Sequence, residues 1–180
     1  MKIMGISGLP GSGKSLISEI ASKKGAIIVG MGDIVREESI KRNEDSKTTA
    51  INLRKEYGQY IIAELTIDKI TQIIKEDPDK TIIVEGIRSP YEVNLFKDNF
   101  KDFIIVSVFA NPSIRFKRLK KRKRSDDSSN FKEFQNRDKR ELTFGIGEVI
   151  ATSDKLIINE KDLKSYEKEI NEFLKENIGI

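Results

Sequence analysis

Lys14 and Ser15 close an eight-residue run, Gly8-Leu9-Pro10-Gly11-Ser12-Gly13-Lys14-Ser15, that matches the phosphate-loop pattern G-x-x-x-x-G-K-S at every position. Each residue type has a task in that pattern. Glycines let the backbone turn tightly and direct successive N–H groups at an anion. A helix that begins at the end of the run turns its positive end to the same anion. The Lys14 ammonium reaches β- and γ-phosphates as a point charge, and the Ser15 hydroxyl is a ligand for Mg²⁺. The run predicts triphosphate binding and no more, because switches, motors and kinases all use it.

Other residues extend the chemistry. Glu85 ends an apolar run at the edge where parallel sheets bind ligands. It holds Mg²⁺ through water or orients the attacking group, or else is a surface turn acid. Arg88, three residues on, reaches an acceptor's phosphate or pairs with a nearby acid. Arg36, Arg118, Arg122, Arg137 and Arg140 are further guanidinium groups for phosphoryl transfer, which needs charge neutralisation more than covalent catalysis. Arg137 and Arg140 are three apart on one helix and are expected to share a face, either over the site or as a solvated surface paired with Asp138 and Glu141. Asp33 reads as a helix cap. The chain has no cysteine and no histidine. Disulfides, thiolate nucleophiles and imidazole bases are therefore excluded.

The elements that must position these groups follow from apolar patterning. Short strands are expected at Lys2 to Ser7, Ile27 to Val29, Thr81 to Val84, Phe103 to Ala110 and Lys155 to Ile158. Helices are expected from the phosphate loop to Lys24, from Ile34, from Ala50 to Lys75 with a bend near Gly58, over 90–98, from Pro112 to Lys121, from Phe131 to Leu142, over Glu148 to Ala151 and from Asp162 to Lys175. Residues 41–49 read as a helix end plus loop, and 122–130 as a polar loop. Alternating strands and helices argue for a parallel sheet covered on both faces. The 180 residues suit one domain. With 34% charged residues and no apolar run near the ~20 needed to cross a bilayer, a membrane protein is excluded. The absence of a leader pattern gives a cytoplasmic expectation. The net charge of +4 suits phosphate ligands or is only a solubility feature.

These residues resemble the nucleoside monophosphate kinase group, which includes adenylate kinase, cytidylate kinase and dephospho-coenzyme A kinase. More closely, nearly the whole chain resembles the archaeal UPF0200 family of small P-loop proteins. The resemblance rests on the phosphate loop, on Met31 to Glu38, Glu85-Gly86-Ile87-Arg88-Ser89, Arg124-Ser125-Asp126-Asp127, Arg137 to Leu142, and Gly145 to Ile150. It implies an α/β three-layer P-loop fold with a five-stranded parallel sheet, an acceptor-binding helical insertion at about 33–77 and a basic lid at about 118–137. It implies ATP and Mg²⁺ as cofactors. Asp33 and Arg36 resemble the segment whose arginine holds the acceptor phosphate. Glu85 and Arg88 resemble an Asp-Gly-Phe-Pro-Arg segment, with glutamate for aspartate and the arginine one position closer. Arg118 and Arg122 resemble lid-flanking residues, Arg137 and Arg140 lid-return arginines near the moving phosphoryl, and Asn159 a polar residue near the adenine.

Arg54, Tyr57 and Tyr60 are candidates to face the acceptor's base or sugar, or are packing residues. Lys117 to Arg124 holds seven basic residues in eight. It reads as a lid, a solvated helix end or, less favoured because no aromatic is interleaved, a nucleic-acid grip. The expectation is a kinase that moves the ATP γ-phosphate to a phosphate-bearing small molecule. The alternative is a nucleotide-dependent switch or nucleic-acid-associated ATPase. Acceptor identity and oligomeric state stay open.

Overall fold

Five apolar runs form strands in a computed structural model that describes residues 2–122 and 130–180. They are β1 (Lys2–Ser7), β2 (Ile27–Gly30), β3 (Thr81–Glu85), β4 (Ile104–Phe109) and β5 (Lys155–Ile158). All four pairings are parallel, in the order β2-β3-β1-β4-β5. Between and after them run α1 (Lys14–Lys23), α2 (Met31–Arg42), α3 (Ser46–Tyr57), α4 (Ile61–Glu76), α5 (Pro90–Asn99), α6 (Pro112–Arg122), α7 (Phe131–Thr143), α8 (Ile146–Ala151) and α9 (Leu163–Ile178). This is the expected five-stranded α/β sandwich.

The pleat explains the two layers. Successive strand residues point to opposite faces. In β1, Ile3 joins a core with Ile62, Ala63, Ile67 and Ile70 of α4 and Val93 and Phe96 of α5. Met4 and Ile6 join the opposite core, with Ile17 and Ala21 of α1 and Ile170, Phe173 and Leu174 of α9. Fully buried side chains such as Ile70 and Ile170 each contribute about 1.5–3 kcal/mol by leaving water.

Register places the loops. Ile6 stands opposite Glu85, and Ser7 opposite Ser107. The segments after β1, β3 and β4 therefore emerge at one sheet edge. Chain leaving β1 crosses toward β2, while chain leaving β4 turns to β5 on the other side. The gap at this switch point is where open parallel sheets bind ligands.

Three expectations on the helices need correction. The long helix from Ala50 divides into α3 and α4, because Gly58 takes φ 107° and ψ 162°, a conformation that breaks helical bonding and favours glycine. Residues 46–49 are the first turn of α3 and not loop: Asp45 caps them by accepting from the Lys47 and Thr48 amides at 3.0 and 3.1 Å. Asp33 is not a cap. α2 begins at Met31, and Asp33 sits in its first turn, paired with Arg36. The expected insertion over 33–77 is occupied by α2, α3 and α4. Of the expected lid, Arg124-Ser125-Asp126-Asp127 and the end of the basic run lie outside the described residues. No helix of the described residues is long and apolar enough to cross a membrane.

Candidate functional site

The phosphate loop leaves β1 at Ser7 and enters α1 at Lys14. No side chain caps α1. The Leu16 amide turns back to Gly13 O at 3.1 Å, which leaves the Lys14 and Ser15 amides for an anion, and the helix dipole points the same way.

The loop's shape is held from outside, through its carbonyls. Pro10 O accepts from Arg115 Nη1 at 3.1 Å. Ser12 O accepts from Asn159 Nδ2 at 2.8 Å and from Arg118 Nη1 at 3.4 Å. Gly13 O accepts from the Tyr166 hydroxyl at 3.2 Å. Burial pushes the Tyr166 phenol above its ordinary range, so it remains a neutral donor. With these carbonyls tied outward and the Ser12 amide donating to Leu9 O at 3.1 Å, the Gly11 and Gly13 N–H groups are left for an anion. Gly13 is required here: at φ 101° a side chain is strained, and its Cβ would collide with the Asn159 amide.

A cavity of about 660 Å³ opens over the loop. Its walls include Gly8, Pro10, Gly11, Gly13, Lys14 and Ser15, with Arg88 after β3, Arg118 and Arg122 of α6, Arg137 and Glu141 of α7, and Asn159 after β5. Leu9 and Ser12 belong to the loop without lining the cavity. Burial lowers the Lys14 pKa to about 8, opposed first by Glu141 and then by Glu85, and assisted by Arg88 and Arg137. A desolvated lysine among arginines is a site in want of an anion. The Ser12 hydroxyl, buried in the loop, also has no partner among the described residues. The residues thus fit a polyphosphate.

Local sequence sets Arg88. Ser89-Pro90-Tyr91-Glu92 is a capping box: Ser89 Oγ accepts from the Glu92 amide at 3.2 Å, and Glu92 Oε2 accepts from the Arg88 and Ser89 amides at 2.7 and 3.1 Å. The Ser-x-x-Glu spacing was the signal for it. Arg88 then pairs with Glu141 at 3.5 Å.

Glu85 reaches the correct edge but does not line the cavity. It shares the Ile83 face of β3, toward α1, where it accepts a hydrogen bond from Ser18, one turn beyond Ser15. Ser15 is exposed at the cavity wall. Among the described residues no three His, Cys, Asp or Glu side chains cluster as a metal site. Ser15 and Glu85 are the residues here that would hold Mg²⁺ beside a bound phosphate.

The other expected residues divide. Arg137 lines the cavity, but Arg140 is exposed and does not. The face that α7 turns inward carries residues 137 and 141, four apart, rather than 137 and 140. Asp138 and Glu141 are not local partners of these arginines. They pair across the fold with Arg115 and Arg88. Asp33 and Arg36 line a separate cavity of about 400 Å³ along β2, with Lys69 and Ile73 of α4. Tyr57 is exposed, with Arg42 over its ring at 5.9 Å. Arg54 comes near Arg88 and Glu92, and partial burial lowers its pKa. Tyr60 stacks on Tyr91 with centroids 3.6 Å apart.

Arg115 was missed because it lies among many basic residues. It is 2% exposed and bonds Ala110 O, Pro10 O and Asp138, with its guanidinium over the Phe134 ring. Only its burial distinguishes it.

Comparisons with known proteins bear on the family and the fold. A family model described as AAA domain matches residues 4–142. A UPF0200 protein of Methanothermobacter thermautotrophicus is 45% identical over 175 residues, covering 97% of this chain and 90% of its own. A UPF0200 protein of Thermococcus sibiricus is 44% identical, covering 99% and 96%. Among solved structures, TT1252 from Thermus thermophilus superposes with TM-score 0.69 at 15% identity, covering 97% of both chains. A shikimate kinase from Bacteroides thetaiotaomicron superposes with TM-score 0.57 at 14% identity, covering 99% of both. At such identities the likeness is one of fold.

Proposed function

The chain belongs to the UPF0200 family and, over residues 4–142, to the family described as AAA domain, and on that footing we propose that it is an ATP-dependent phosphotransferase acting on a phosphate-bearing small molecule. One observation carries this reading. Among the described residues, the cavity is lined by Lys14, Arg88, Arg118, Arg122, Arg137 and Lys161 against the single acid Glu141. Lys14, Arg88, Arg118 and Lys161 come from four separate segments of the chain, and that spread of positive charge favours a second anionic ligand beside the nucleotide.

The loop amides and Lys14 hold the β- and γ-phosphates. Arg118 and Asn159 brace the loop from the side expected to receive the base. Arg88, with Arg54 behind it, faces the acceptor. Arg122 and Arg137 approach from α6 and α7 and stabilise charge on the transferring group. Mg²⁺, bound through Ser15 and near Glu85, would neutralise the phosphate oxygens. A kinase is among the proteins that share this fold, in keeping with the reading.

The AAA-domain match also favours a second reading, an ATPase or switch whose partner is nucleic acid, with Lys117, Lys120 and Lys121 exposed on α6. One assay separates the two: ATP and Mg²⁺ with a panel of nucleoside monophosphates and dephospho-coenzyme A. ADP matched one-for-one by a phosphorylated product supports the phosphotransferase. Turnover without such a product, stimulated by RNA or DNA, supports the rival.

A further inference from the structure

Glu141 is out of place in a site built for phosphates. It is the only carboxylate among the described residues lining the cavity, and its side chain is 13% exposed. A carboxylate beside phosphates repels them, and holding it out of water costs further. Its location gives the reason to keep it. Glu141 pairs with Arg88 on the acceptor side, lines the same cavity as Lys14, and is a larger source of negative potential at Lys14 than Glu85. Lys14 marks the γ-phosphate end of the nucleotide. The acid thus stands where the two ligands meet.

Resting on the phosphotransferase reading, we infer that Glu141 is the proton acceptor of the transfer and that the acceptor therefore presents a hydroxyl, not a phosphate oxygen, to ATP. An ionised phosphate oxygen attacks without losing a proton and needs no base. An alcohol does need one, within about 2.6–3.2 Å of its hydroxyl. As the acceptor oxygen bonds the γ-phosphorus, the bond from that phosphorus to the bridging oxygen of ADP breaks. ADP leaves with the electron pair, and the hydroxyl proton passes to a Glu141 oxygen and then to solvent. Arg88 holds the carboxylate in line and anchors the acceptor's own phosphate. Glu85 is less suited, because it lies toward α1, engaged by Ser18 and outside the cavity wall.

The test uses Glu141→Gln, which preserves shape and can still accept from Arg88, with Glu141→Asp as a second variant that keeps the charge and shortens the reach. ATP affinity is measured by calorimetry, and transfer is followed to dephospho-coenzyme A as a phosphate-bearing alcohol and to AMP and CMP as phosphate-oxygen acceptors. The expected result is transfer to the alcohol, lowered about 10²–10⁴-fold in Glu141→Gln and less in Glu141→Asp, with ATP affinity within about threefold of the parent. Phosphorylated product formed only at a phosphate oxygen overturns the inference and leaves the phosphotransferase reading intact. So does unchanged transfer in Glu141→Gln, or a tenfold gain in ATP affinity, which would make Glu141 a place-holder for phosphate. ATP turnover without phosphorylation of any acceptor overturns both.

Discussion

Asp138 receives the Arg115 guanidinium through two parallel hydrogen bonds, Nη1 to Oδ1 at 2.8 Å and Nη2 to Oδ2 at 2.5 Å. The same guanidinium reaches Pro10 O in the phosphate loop and Ala110 O at the end of β4. One buried ion pair therefore ties the floor of the cavity to α7, which supplies part of its wall. Removing one partner leaves the other charge uncompensated. Asp138→Ala should lower unfolding stability by about 3–5 kcal/mol in a urea titration. Replacing both residues by apolar ones of similar volume should cost less than Asp138→Ala alone.

Lys14 gives ATP binding a pH dependence of defined sign. Its pKa in the free protein is about 8, lowered first by burial. Bound phosphate favours the charged form and raises it. Between the two values the complex holds more protons than its components, so affinity falls as pH rises. Binding should be flat below about pH 8 and weaken above it, by up to about tenfold per pH unit. Calorimetry from pH 7 to 10 in buffers of different ionisation enthalpy measures both the affinity and the proton uptake. Lys14→Met should bind more weakly and lose the slope.

Gly13 and Asn159 form a coupled pair, because a Cβ at residue 13 would fall on the Asn159 amide. Gly13→Ala should cost about 1–3 kcal/mol and weaken ATP binding at least about tenfold. Adding Asn159→Ala removes the collision but not the strain of φ 101°, so the double variant should recover only part of the loss. Denaturation and ATP titration on all four proteins close the cycle.

Arg88 and Arg36 should behave oppositely. Arg88 faces the main cavity, while Arg36 pairs with Asp33 on the second one. Arg88→Ala should raise the acceptor KM well above tenfold at saturating ATP. Arg36→Ala should leave KM unchanged and stability within about 1 kcal/mol, the worth of an exposed pair. Steady-state kinetics over acceptor concentration decides this.

Much of the scaffold was legible in the residue order. The phosphate loop is contiguous, and its function lies in local backbone turns that glycine permits. The strands are short apolar runs, and the three central ones, β1, β3 and β4, are buried on both faces, as the pleat requires of strands covered by helices on each side. Asp45 and Ser89-x-x-Glu92 are local caps that spacing alone could have revealed, and Gly58 ends a helix because of its own φ.

What residue order alone determined is therefore chemistry confined within a turn or two of backbone: the anion cradle of residues 8–15, the sheet that presents it, and the stock of cationic side chains. Which of those side chains enter the cavity was decided by tertiary packing. Phe134 sets the roll of α7 by resting against Phe116, with centroids 5.4 Å apart, and beneath the Arg115 guanidinium. That roll sends Asp138 down to Arg115, Arg137 and Glu141 inward, and Arg140 to solvent. A helix carries charged residues on every side, and only its contacts with the rest of the chain choose the side that becomes the site.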